Sequence, residues 1–311
     1  MRRRDFVFRA GQALAVGAFA GYVPLASSNA AASPRRANGE GGVADGPLDP
    51  AGYRAARRYA ALSSGRVAYM DRGKGDAVLL LHGLPLNNLQ WRGAIDRLST
   101  THRCVAPDFL GLGFTQAAEG QSLTPPAQVA MLVELLNTLS IPTVDLIASD
   151  SGGAIAQLFA VHHRDRVRTM LLTNCDAEPD SPPPALKPIL DMAHEGTLPD
   201  KVLAPWVADK ALCRSQFGTA VYVNPAILTD DVIDYYFTPS LSSPRRKSEF
   251  IAYHLGLEVN PLAGIERELK QCSVPTRIIW GMSDTIFSTA SADYLDHTLP
   301  NSRGVRRIQE A

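Results

Sequence analysis

Residues 146–157 read LIASDSGGAIAQ. An apolar run gives way to a small residue, three polar residues and a glycine pair, and a helix-forming stretch follows. That order predicts a strand, a sharp turn and a helix. Ser149, Asp150 and Ser151 stand side by side, and only one can sit at the tip of the turn. Strand and helix backbones pass close together at such a tip, so small residues are needed two before and two after it. Ser149 at the tip misplaces the following glycine. Ser151 would be flanked by Ser149 and Gly153. Asp150 would be flanked by Ala148 and Gly152, with Gly153 in the first turn of the helix.

The surrounding chain is organised as alternating strands and helices. Residues 77–83 (AVLLLHG), 103–111, 144–149, 166–176 and 276–284 carry short apolar runs suited to strands covered on both faces. Residues 124–139 begin Thr-Pro-Pro and continue with apolar residues at helical spacing, a capped helix. RRYAAL and RVAYMD flank Ser63-Ser64-Gly65 as a hairpin, and GVRRIQ reads as a last strand. The pattern predicts an α/β fold with a doubly wound, mainly parallel sheet. Its core spans residues 53–176 and 266–311. Residues 177–265 break the rhythm with a proline-rich opening and helix-like pieces rich in aromatic residues, and are expected to form a helical cap over the strand ends, where such sheets bind ligands.

Residues 1–32 have a basic start, a mildly apolar middle and an alanine-rich end, the pattern of an export signal. Arg3-Arg4-Asp5-Phe6-Val7 resembles a twin-arginine signature, which implies a periplasmic or extracellular protein. Residues 33–52 are rich in Gly, Pro and Ala and read as a flexible tether. The chain of 311 residues carries 31 basic and 31 acidic side chains, so its charge points to no nucleic-acid partner. No stable membrane span is expected once the signal is removed. The four cysteines lack metal-ligand spacing and are expected to be free thiols, with no metal site.

Further motifs flank the turn. His82-Gly83-Leu84-Pro85 follows the first apolar strand, Trp91-Arg92 follows it, and Asp108 opens a D-x-x-G-x-G turn. Asp284 ends W-G-x-x-D after a strand. Together with the approach D-L-I-A-S to Asp150, these residues resemble the α/β-hydrolase superfamily. More narrowly, they are similar to its branch with an aspartate nucleophile, the haloalkane dehalogenases and epoxide hydrolases. The resemblance covers most of residues 53–311 and is weakest in the cap.

The resemblance implies a hydrolase of a small, mostly apolar substrate that needs no metal or organic cofactor. Asp150 would be the nucleophile, at a turn kept narrow by Gly152. The backbone N–H groups of Leu84 and Ser151 would form the oxyanion hole, supported by His82, Gly83, Pro85 and Trp91. Asp284 would be the triad acid, with Asp176 the rival position. His82 and Asp108 are expected to be structural. The chemistry agrees with Asp150: a carboxylate with a reference pKa near ~3.9 is ionised at neutral pH and attacks carbon without prior deprotonation, whereas serine needs an adjacent imidazole. The resulting ester must then be hydrolysed, normally with a His general base.

Several residues depart from this pattern. The family's histidine would fall just past GVRRIQEA, and none of the seven histidines (82, 102, 162, 163, 194, 254, 297) fits its place. The C-terminal end therefore reads as truncated, or the histidine is lacking by nature. Ser151 stands where dehalogenases carry a halide-holding Trp, and Leu84 where they often carry Asn. Epoxide hydrolases use cap tyrosines as proton donors, and Tyr222, Tyr235, Tyr236 and Tyr253 are the candidates. The alternatives are a serine esterase or lactonase acting through Ser151, and a non-catalytic binder of small molecules on the same fold.

Overall fold

The computed structural model describes residues 48–310. The expected export signal and residues 33–47 of the expected tether lie outside the described residues. The other end of the tether is corrected. Helix α1 (Pro50–Ala56) begins inside it, capped by Asp49, whose side chain accepts from the Gly52 N–H at 2.7 Å. Leu48, Pro50 and Tyr53 are buried, so this stretch is packed rather than free. An aspartate followed by proline is itself a helix-start signal, outweighed in the reading by the glycine-rich run before it.

One sheet runs through the molecule. Strands β1 (Arg58–Leu62) and β2 (Gly65–Arg72) form the expected hairpin around Ser63-Ser64. Strand β3 (Ala77–Leu81) lies between β4 (Arg103–Pro107) and β6 (Val144–Asp150), parallel to both, and the short β5 (Gln116–Ala117) pairs only with β2. Strands β7 (Val167–Cys175), β8 (Thr276–Gly281) and β9 (Ser302–Ile308) extend the parallel part. The order is β1-β2-β4-β3-β6-β7-β8-β9, with the β1–β2 end antiparallel. Every residue of β3 is buried, as an apolar strand covered on both faces should be. Helices α2 (Arg92–Leu98), α3 (Pro125–Thr138) and α4 (Ser151–His162) connect the strands.

The chain leaves β3 toward β4 and returns on the other side of β3 as β6. The direction of winding therefore reverses between β3 and β6, and a crevice opens at their carboxyl ends. The His82–Pro85 loop follows β3 and Asp150 ends β6, so the topology brings both motifs to that crevice.

Between β7 and β8 the described chain contains no strand. Its helices include α5 (Lys187–His194), α6 (Asp230–Leu241) and α7 (Pro244–Leu255). Trp206, Phe217 and Phe237 pack ring on ring with centroids 5.3–5.4 Å apart. Arginines from the core hold this region down: Arg57 donates to the Tyr235 hydroxyl and Arg92 to that of Tyr236, each at 2.9 Å. In the other direction Arg246 of α7 donates to the Gly113 carbonyl at 2.8 Å. Helix α8 (Thr289–Thr298) precedes β9. All four cysteines are buried free thiols. No helix among the described residues is long and apolar enough to cross a membrane.

Gly152 locks the central turn to β3. A Cβ at this position would lie 2.5 Å from the His82 carbonyl oxygen and 2.7 Å from that of Leu81. Both are main-chain atoms of a buried strand end and cannot yield without moving the sheet. Gly152→Ala is therefore expected to cost about 3 kcal/mol or more, at the top of the overpacking range. The check is the midpoint of chemical denaturation, against Gly93→Ala in α2, whose Cβ would meet no atom within 4 Å.

Candidate active site

Asp150 occupies the tip of the turn. Its backbone lies at φ 57° and ψ −137°, one of two non-glycine residues with positive φ among those described. Such a conformation costs on the order of 1–3 kcal/mol and persists only where the surroundings impose it. Here they do. β6 ends at Asp150 and α4 starts at Ser151, so the chain reverses within one residue.

The Asp150 side chain is 2 % exposed and held by backbone donors from two directions. Its Oδ1 accepts the Ser151 N–H at 2.6 Å and the Leu84 N–H at 2.9 Å. Gly83 permits this approach, because a Cβ there would sit 2.5 Å from the same Oδ1. The two amides expected to form an oxyanion hole thus converge on one oxygen of Asp150. Ser149 ends up buried within β6. The Ser151 hydroxyl lies 3.1 Å from the Tyr253 hydroxyl of α7, and both groups are buried.

The remaining residues sort by their partners. His82 uses both ring nitrogens: Nε2 accepts the Phe109 N–H at 3.1 Å, and Nδ1 therefore donates to the Gly83 carbonyl at 2.9 Å. Burial keeps this ring neutral, with a pKa lowered to about 4. Asp108 accepts from the Asn88 and Phe114 amides, both at 2.8 Å, and so pins two loops. Both side chains hold loops in place. Pro85 lies in the loop directly after Leu84, and the Trp91 Nε1 is buried without a hydrogen-bond partner. Of the four cap tyrosines, Tyr235 and Tyr236 are engaged by Arg57 and Arg92, and Tyr222 lies beside Tyr236 and Arg92. Tyr253 alone among them reaches the turn.

Asp284 follows β8. Its Oδ1 accepts the Ile286 and Phe287 amides at 2.7 and 3.0 Å, and its Oδ2 accepts Asn174 Nδ2 at 2.6 Å. Asp176 accepts the Ser181 hydroxyl at 2.8 Å. Neither carboxylate is hydrogen-bonded to a histidine. His254 is buried in α7, its Nδ1 bonded to the Phe250 carbonyl at 2.7 Å. His102 bonds Thr101, His194 bonds Glu258 and His297 bonds the Asp293 carbonyl, all on the exposed surface. His162 and His163 end α4, away from Asp150. Among the described residues no group of three or more His, Cys, Asp or Glu could hold a metal ion.

A family model described as the α/β hydrolase fold matches residues 76–310. The chain belongs to the α/β hydrolase fold family. It is a hydrolase, and its relatives carry several hydrolase names. Haloalkane dehalogenase 2 of Mycobacterium tuberculosis is 27 % identical over 285 residues, covering 82 % of this chain and 91 % of that protein. Cis-3-alkyl-4-alkyloxetan-2-one decarboxylase of Shewanella oneidensis is 25 % identical over 244 residues, covering 74 % of each. The solved structure of the epoxide hydrolase CorEH superposes with a TM-score of 0.66 at 21 % identity, covering 81 % of this chain and 90 % of that one, a likeness of fold.

In this hydrolase the crevice is electrostatically unusual, because three carboxyl groups share it. Burial is the main cause of each raised pKa. It lifts Asp150 to about 7, with Asp284 adding to the rise and the Ser151 and Leu84 hydrogen bonds opposing it. Burial and then Asp150 lift Asp176 to about 8, and burial lifts Asp284. A carboxyl whose folded pKa is raised binds protons more tightly in the native state. Its stabilising contribution is complete below the unfolded value near ~4 and is lost as pH rises through the folded value. Thermal scans are accordingly expected to show the contribution of Asp150 and Asp176 declining up to about pH 8. Asp176→Asn should flatten that decline, gaining a few degrees in Tm over wild type between about pH 5 and about pH 9. Asp284 is the charge that adds to the rise at Asp150, so Asp284→Asn should shift the titration of Asp150 to lower pH.

Proposed function

We propose that this hydrolase forms an ester between Asp150 and a small, mostly apolar substrate whose leaving atom is oxygen, in the first place an epoxide. The observation that carries the reading is the convergence of the Leu84 and Ser151 amides on Asp150 Oδ1. With a serine nucleophile such a pair would point at a substrate oxygen. Here it holds the nucleophile's own carboxylate, which leaves Oδ2 to attack carbon. In the ester, Oδ1 becomes the carbonyl oxygen already seated on two donors, where charge develops when water attacks.

The leaving atom follows from the other hydroxyls. Oδ2 attacks a ring carbon, the ring C–O bond breaks, and its electron pair goes to oxygen. That oxygen takes a proton from Tyr253, whose phenol burial keeps protonated, with Ser151 as its hydrogen-bond partner. A hydroxyl pair donates protons to an alkoxide, a service a departing halide does not need. The serine reading is disfavoured because Ser151 Oγ meets a phenol in place of an imidazole. Ester formation is the half-reaction for which the described residues supply every group. Residues 3–7 support export by a twin-arginine route for the same chain.

Two expectations follow. Incubation with styrene oxide should add its mass to the peptide carrying Asp150, faster as pH rises through about 7, where Asp150 ionises. Asp150→Ala should show no adduct, and Tyr253→Phe should slow labelling roughly 10²-fold. Binding without any adduct would instead support the non-catalytic reading. For export, N-terminal sequencing of the secreted chain should find a start just after Ala30–Ala32, and replacing Arg3 and Arg4 with Lys should keep the chain in the cytoplasm.

A further inference from the structure

Gln90 makes a contact that the motifs around it do not announce. It sits on a single helical turn, Asn88–Trp91, capped by the Asn87 side chain, which accepts the Leu89 N–H at 3.2 Å. That turn is fixed to the core: the Asn88 N–H donates to Asp108 at 2.8 Å, and Asn88 Nδ2 to the Ala106 carbonyl at 3.2 Å. From this anchored position Gln90 Oε1 accepts the Gly83 N–H at 2.9 Å. Gly83 lies against Asp150, and the next amide in the chain, Leu84 N–H, points at Asp150 Oδ1. One side-chain amide therefore sets the orientation of the peptide that precedes the Leu84 donor.

The other end of the same amide is unused. Gln90 Nε2 is buried and has no hydrogen-bond partner. A carboxamide carries two N–H donors on that nitrogen. Buried donors are nearly always paired, because an unpaired one forfeits its hydration without return. This one stays unpaired on the same carboxamide that holds the Gly83 N–H, one residue before the Leu84 donor, where an acceptor brought by a ligand could meet it.

We propose that Gln90 is a positioning residue for the Leu84 amide and that its Nε2 recognises a neutral acceptor oxygen on the ligand, beside the reacting end. The ligand class is then an apolar molecule carrying an ether or carbonyl oxygen a bond or two from its reactive carbons. This deepens the Asp150 reading and rests on it for the reaction, while its test uses binding and amide exchange and needs no turnover.

The probes are 3-phenoxy-1,2-propanediol and 4-phenyl-1,2-butanediol, which differ by one ether oxygen in place of a methylene. By calorimetry, wild type should bind the ether about fivefold to tenfold more tightly, the value of one net hydrogen bond. Hydrogen-exchange mass spectrometry should find the segment 82–86 protected. Gln90→Met removes acceptor and donor, and should lose the preference and speed exchange of that segment roughly tenfold. Gln90→Glu at about pH 9 keeps an acceptor for the Gly83 N–H but has no proton to give, so it should keep protection and lose the preference. Equal binding of both diols by wild type, or unchanged protection in Gln90→Met, overturns the proposal. If Gln90→Met does not fold, Gln90→Glu retaining the ether preference overturns it as well. Absence of a styrene oxide adduct would sink only the reading of Asp150.

Discussion

The close approach of α4 to the end of β3 is the constraint on which the rest depends. Gly152 passes so near the Leu81 and His82 carbonyls that no side chain fits between them. With helix and strand pressed together, the residue before Ser151 must reverse the chain within a single residue, and Asp150 takes a positive φ to do so. The cost of that conformation is offset locally, since the same geometry turns the Ser151 amide and the Leu84 amide onto the Asp150 carboxylate. Gly83 and Gly153 serve the same end. The first admits the Asp150 side chain, and the second admits Cys175, whose Cβ would stand 2.3 Å from a side chain at 153.

Burying three carboxyl groups in one crevice works against folding, and the hydrogen bonds are arranged accordingly. Asp284 receives two amides and an asparagine, Asp150 two amides, and Asp176 a single hydroxyl. The group with the fewest donors, Asp176, has the higher pKa, about 8 against about 7 for Asp150. Donors to a carboxylate favour its charged form, and desolvation and like charge oppose it. Burial thus brings the ionisation of Asp150 close to neutral pH and leaves Asp176 mostly protonated there.

What the sequence made legible was local. The spacing of Ala148, Asp150 and Gly152 encodes the turn because the steric demand acts between neighbours in the chain. His-Gly-Leu-Pro encodes the facing loop for a similar reason, and the alternating apolar runs encode the sheet. The choice among four cap tyrosines was not legible, because Tyr253 meets Ser151 across 102 positions of sequence and only the packing of α7 decides it. Gln90 carries no signal in the sequence, because glutamine is an ordinary surface residue and its contact with Gly83 comes from an anchored turn formed by Asn87, Asn88 and Asp108. The start of the fold was misread at Leu48–Gly52, where composition suggested a tether and a capping aspartate with a following proline started a helix.

These two kinds of information divide the site. The core supplies the carboxylate and the amides, and their positions follow from backbone sterics that few substitutions could relax. The cap supplies the Tyr253 hydroxyl, and its position follows from side-chain contacts: Arg57 on Tyr235, Arg92 on Tyr236, and Arg246 reaching back to the core carbonyls of Gly113 and Thr115. Each cap contact is a charged donor on a neutral oxygen, stronger than a neutral pair yet freer in direction than a sheet ladder. The ester formation we propose needs both parts in register, with the attack set by Asp150 and the proton delivered by Tyr253. Under that proposal the choice of leaving atom depends on the helical region between β7 and β8, since a change in how α6 and α7 seat would move Tyr253 while leaving Asp150 and its two amides where the strand-to-helix turn puts them.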